Sequence, residues 1–341
     1  ILIALPSDKT GCWEYNPGAA GYTLGTASLA SFTLRHDGTA QPRQWNPVKA
    51  PDAIFELPNS SMMWFSGRPV IGSGTLSIFV PNGTTLFDAA MSDFTGDVVI
   101  SNRSTKFTAA STVGAAGRKA TFCLTSADTE RPITAEALTF PGAVDFVQIP
   151  EAKTVATRFT FGGGTAFNGP VEIKNATVAT YFEGGPLTFN GGIRNVSAKT
   201  VYVGPGEWTG ITNVITGGMV DLAGTFYVCN SALRLSAPVK AQKVTAGYYT
   251  LALVCEADNL FDDVTDGIEI GVGWAPVTAD IVLKGTRQKF NVLKVNTNTT
   301  VAFKGEGAST LEIADASDAT YSGGLKGDLS VVHSGTGSWK L

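Results

Sequence analysis

The sequence is poor in the side chains that most often do chemistry. Only two histidines, His36 and His333, stand in 341 residues, so a histidine-rich metal centre is excluded. The four cysteines, Cys12, Cys123, Cys229 and Cys255, form no CxxC pair and match no zinc spacing. Charged residues are scarce at 16%, against roughly 25% in average soluble chains. With 43% apolar residues, the chain is too hydrophobic for a disordered polymer. Yet it has no run of about 18 apolar residues, so no membrane-spanning segment is predicted. Lysine and arginine number 25 against 29 acids, scattered without a basic stripe, for a net charge of −4. Phosphate backbones demand clustered positive charge, so nucleic acid is excluded as a partner. No GxxxxGK[ST] loop occurs, and neither histidine lies near a GxSxG nucleophile elbow. The GGG at 162–164 precedes no helix that would cradle a phosphate, so it reads as a turn.

What is present is short strands. Apolar residues alternate with polar ones over four to seven positions, at Thr75 to Val80, Ala120 to Leu124 and Thr225 to Cys229 among others. Glycine, 39 residues in all, punctuates them in NGP (168–170), NGG (190–192) and GG (217–218). Glycine supplies positive φ without a side-chain clash, so these clusters are turns. Phe167-Asn168-Gly169 recurs as Phe189-Asn190-Gly191, which sets a repeat of about 22 residues. A period of that length holds three strands and three turns, one rung of a right-handed parallel β-helix. Inward residues would stack on those of the next rung at the ~4.8 Å strand spacing. Residues 66–341 then give roughly 12 rungs of solenoid.

Residues 1–65 differ. They hold Trp13, Trp45 and Trp64 and six prolines, and read as an irregular N-terminal cap or a small β-rich domain. A cap would cover the open first rung, whose backbone groups and core are otherwise bare. The alternative fold is a β-sandwich or jelly roll of antiparallel hairpins. Asn168-Gly169 and Asn190-Gly191, preferred pairs for two-residue hairpin turns, speak for it.

The segment Gly72-Ser73-Gly74-Thr75-Leu76, the turn Asp93-Phe94-Thr95-Gly96 and the strand Val98 to Ile100 resemble the autotransporter-associated β-strand repeat of bacterial β-helical passenger proteins. Gly305 to Leu341 echoes the same pattern, with Ser334 to Leu341 similar to an opening strand. The resemblance covers about a fifth of the chain. It implies an exported, extracellular β-helix, secreted or held at the cell surface. It does not imply catalysis.

The chain begins at Ile1 and ends at Leu341 without a polar cap. A removed leader or a fragment fits the first. Continuation of the natural protein, or head-to-tail self-association through end rungs, fits the second.

Chemistry has few candidates. Asp258, Asp262, Asp263 and Asp266, with Glu269, form the densest acidic cluster. It reads first as a solvated turn. Carboxylates suit hard cations, so the four aspartates are also a weak calcium site, although the EF-hand spacing fails at Val264. Paired carboxylates also serve glycan cleavage. Cys229 and Cys255, each after a valine and about one coil apart, are either two buried apolar thiols or a disulfide stacked across that coil. Tyr202, Trp208 and Trp274 are candidates for a glycan-binding platform, or ordinary inter-rung packing. Six Asn-x-Ser/Thr sequons fall at Asn59, Asn82, Asn102, Asn175, Asn195 and Asn298. The chain is therefore read as a non-enzymatic structural or adhesive solenoid, with an extracellular glycan or protein surface as partner. A polysaccharide-acting β-helix enzyme and a subunit of an extracellular filament are the alternatives. No catalytic residue and no cofactor is assigned, beyond the weak calcium candidates.

Overall fold

A computed structural model describes residues 52–65, 72–92, 94–149, 154–204, 210–247, 252–271 and 276–340, and the backbone of four earlier strands, Leu2–Ala4, Cys12–Tyr15, Phe32–Arg35 and Gln41–Gln44. Every element is a strand, with no helix among the described residues. The strands stack in parallel as a β-solenoid of about 12 turns, consistent with a right-handed β-helix. Parallel pairing removes the jelly-roll alternative, whose hairpins are antiparallel. The chain divides into two compact units, Ile1–Val178 and Ala179–Leu341.

In the first unit one inward column runs Phe55, Ile78, Ile100, Phe122, Phe146, Ile173, each residue paired in register with the next. The steps from Ile78 to Ile100 and from Ile100 to Phe122 are equal, and match the period of the Phe-Asn-Gly recurrence. The step from Phe146 to Ile173 is longer. A second column stacks Phe65 on Phe87 and Phe87 on Phe107, with ring centroids 4.8 and 4.7 Å apart and planes within 9° of parallel. Those distances are the strand spacing itself. An in-register ladder of like residues thus stacks ring on ring.

One amide buried in this core is held by several partners. Asn102 is 1% exposed, and its Nδ2 donates to Thr85 Oγ1 (2.9 Å), Thr105 Oγ1 (3.0 Å) and the Ser104 carbonyl (2.6 Å). A buried amide without these bonds would cost about 1–3 kcal/mol. Asn102 and Asn195 are both buried, so those two sequons are closed in the folded chain.

Strands can turn a corner without ending. Thr75–Phe87 shifts register between Val80 and Thr84 and continues along the next face. A Cβ at Gly83 would lie 2.6 Å from the Ser60 carbonyl, so only glycine fits that bend. The same reason explains Asn168-Gly169. It makes no hairpin; a Cβ at Gly169 would lie 2.4 Å from the Gly142 carbonyl carbon, one rung below.

Most of the expected cap over residues 1–65 lies outside the described residues. Within it, Ala53–Glu56 and Met62–Phe65 pair in parallel with Thr75–Phe87.

In the second unit three faces wind together. The first carries Thr180–Gly184, Val201–Val203, Thr225–Val228, Lys243–Ala246, Ile268–Ile270 and Leu293–Val295. Its inward column is Thr180, Val201, Phe226, Val244, Ile268, Leu293, with steps of unequal length. The second face includes Thr212–Ile215, Ala232–Leu235, Ala252–Cys255, Val277–Lys284 and Thr299–Ile313. The third carries Ile193–Asn195, Val220–Leu222, Val239–Ala241 and Asp263–Val264.

Candidate functional site

Outward residues on the first face of the second unit also fall in columns, because the inward register forces them to. One reads Tyr181, Tyr202, Tyr227, Thr245, Glu269, Lys294. Tyr181 and Tyr202 stack at 4.0 Å with planes 6° apart. Tyr202 and Tyr227 are 4.7 Å apart and tilted by 31°. Burial pushes the Tyr202 hydroxyl well above its ordinary pKa, and pushes Tyr227 up to about 12. Both are neutral at any physiological pH.

Where the tyrosines stop, a charged cluster begins. Glu269 accepts from Lys243 Nζ, from Lys294 Nζ at 2.9 Å and from Asn296 Nδ2 at 2.9 Å. Burial alone would raise its pKa, but these three donors outweigh it and bring the carboxyl to about 2. Asn296 Nδ2 also donates to the Gly271 carbonyl at 2.8 Å, which fixes the amide between the two. A cavity of about 340 Å³ opens here, lined by Thr200, Tyr202, Thr225, Tyr227, Lys243, Thr245, Glu269, Gly271 and Asn296. Hydroxyls, one carboxylate, one ammonium and the tyrosine rings dominate that lining. It is a shallow polar site with an aromatic wall.

The acidic turn lies elsewhere. Asp262 and Asp263 line a larger groove of about 710 Å³ with Lys240, Gln242, Thr265 and Asn291. Asp258 is committed differently: its Oδ1 accepts from the Arg287 backbone N–H at 2.7 Å. Asp266 is exposed on the turn leading to Ile268–Ile270. Glu269 belongs to the strand and its lysines, not to the turn. Among the described residues no group of three or more His, Cys, Asp or Glu is placed to hold a metal ion, so the four aspartates do not converge as a calcium cage would need.

The cysteines need a correction. Cys255 closes Ala252–Cys255 on the second face, in register between Leu235 and Leu283. Cys229 follows Thr225–Val228 on the first face, where its N–H donates to the Val203 carbonyl. Their separation in sequence therefore does not stack them, because it spans one rung plus a change of face. Both stand as buried thiols, and burial pushes Cys255 up to about 12.

Of the predicted aromatic platform, Tyr202 is in the ladder, while Trp208 and Trp274 lie outside the described residues. Sequence reasoning missed Tyr181, Tyr227, Lys243 and Asn296. The signal was available: TYF, VYV and FYV each place a tyrosine between the two inward residues of a strand. His333 is exposed at the end of Ser322–His333. No helix among the described residues is long and apolar enough to cross a membrane.

In comparisons with known proteins, no family model, no curated protein and no solved structure matches the chain.

Proposed function

We propose that the chain is a non-enzymatic segment of a secreted or cell-surface solenoid, acting as scaffold and adhesive surface. The observation that carries this reading is the in-register outward column from Tyr181 to Lys294. It presents aromatic, hydroxyl and charged groups on one lateral face at fixed ~4.8 Å intervals. Such a face binds an extended partner by repetition. The likeness of Gly72 to Ile100 to the autotransporter-associated repeat supports export. The test is to express the natural gene and treat intact cells with protease. Cleavage of the chain at the surface, or its recovery from the medium, is expected; a chain protected inside the cytosol overturns the proposal.

A polysaccharide-acting enzyme is the second reading, favoured by one observation: Asp262 and Asp263 share the larger groove. Glycan cleavage needs an acid and a base flanking the scissile bond. Release of reducing ends from a polysaccharide panel, abolished by Asp262→Asn or Asp263→Asn, would establish it.

A further inference from the structure

We propose that the cavity of about 340 Å³ at the end of the tyrosine ladder is a subsite for one hexopyranose unit of an extracellular polysaccharide. The proposal rests on the lateral face being a binding surface, and adds what it binds and where.

The argument starts from where the ladder stops. Tyr181 and Tyr202 cover each other's faces at 4.0 Å, so neither offers that face to a ligand. Tyr227 tilts 31° from Tyr202, and the residue in register on its other side is Thr245. Thr245 fills far less of the rung than a fourth ring would. The next residue in the column is Glu269. Two rungs separate Tyr227 from Glu269, roughly 9–10 Å at the strand spacing. Thr245, 6% exposed, lines the base of that interval, and Lys243 of the same strand reaches to Glu269. A pyranose seated against the Tyr227 ring in this cavity would continue the aromatic stack.

The chemistry of the walls fits that ligand. A hexopyranose has a face of C–H groups and an edge of hydroxyls, and tyrosine offers an apolar face beside polar neighbours. Opposite the ring stand Glu269, Lys243 and Asn296, bonded to one another and so held in place. Glu269 stays ionised and accepts hydroxyl hydrogens; the Lys243 ammonium donates. Thr200 and Thr225 add hydroxyls to the rim. A lipid or apolar peptide would find little aliphatic surface here. A cavity of this volume is at the small end of ligand pockets, right for one or two sugar units.

The test uses the full chain and saturation-transfer NMR, with methyl glucopyranosides, galactopyranosides and mannopyranosides as probes. Transfer to ring C–H protons of at least one probe is expected. It should fall at least fivefold in Tyr227→Ala. Thr245→Tyr, which fills the gap and extends the ladder, should abolish it while leaving far-UV circular dichroism and the urea midpoint near wild type. Glu269→Gln should weaken it severalfold. Absence of transfer with every probe, or undiminished transfer in folded Thr245→Tyr, overturns the subsite. Adhesion of the wild-type chain to cells is measured in parallel. Adhesion by a wild-type chain that shows no transfer to any probe sinks this subsite and leaves the scaffold reading standing.

Discussion

Replacing Phe87 with alanine should remove a large share of the stability of its unit. Phe87 is 1% exposed and sits between Phe65 and Phe107, at 4.8 and 4.7 Å. Phe→Ala in a core costs about 3–5 kcal/mol, and the figure depends on how far the site collapses. Collapse is obstructed here. The rings on both sides are held at the strand spacing by backbone ladders running Met62–Phe65, Thr84–Phe87 and Ser104–Phe107. The loss should therefore fall in the upper part, about 4–5 kcal/mol. Trp64 gives a local probe, because its Nε1 donates to Asp88 Oδ2, the residue after Phe87, at 2.7 Å. Equilibrium urea unfolding, followed by circular dichroism and tryptophan emission, measures the change. Phe79→Ala is the control: Phe79 is 43% exposed, and its loss should stay within about 0.5 kcal/mol. A loss below about 1 kcal/mol at Phe87, or equal losses at both positions, would refute the ladder as a main source of stability.

Three further expectations follow from single residues. A Cβ at Gly96 would lie 1.9 Å from the Gly74 carbonyl oxygen, which accepts the Asp97 N–H, so Gly96→Ala should cost about 1–3 kcal/mol in the same urea assay. Glu269 has a folded pKa of about 2, below its unfolded value near 4.3; its contribution is full above about pH 4.5 and is lost as pH falls toward 2. Glu269→Gln should therefore flatten stability against pH in that window, and parallel profiles for variant and wild type would contradict the assignment. Cys255 is buried with its thiol pushed to about 12, so it should resist iodoacetamide until the chain unfolds; peptide mapping without reductant that recovers a Cys229–Cys255 bridge would contradict the separate columns.

The winding itself was legible because a core column needs one apolar residue per rung. That requirement left Ile78, Ile100 and Phe122 at equal spacing, and the same pressure left Phe-Asn-Gly repeated. Some of the shortest strands were not legible. Leu187–Phe189 and Val239–Ala241 are three residues long, too brief for two-residue alternation to register. Thr75–Phe87 was read as ending at Val80, since Pro81-Asn82-Gly83 looks like a breaker; the backbone instead bends there and resumes its ladder. The candidate site was half legible. Tyr202 and Glu269 were singled out, but in unrelated roles. The steps from Tyr181 to Tyr202 and from Tyr202 to Tyr227 differ in length, which puts their alignment beyond any fixed-period search.

A short rung, such as Phe226 to Val244, and a long one, such as Phe146 to Ile173, both keep the inward register of their own unit. A change in rung length thus leaves the register intact, because each strand answers only to the strands directly above and below. The turn at Gly164, where an added Cβ would meet nothing within 4 Å, is thus an open slot. Foreign peptide spliced there would be displayed at a known height along its unit, and the layers on either side would not register the change.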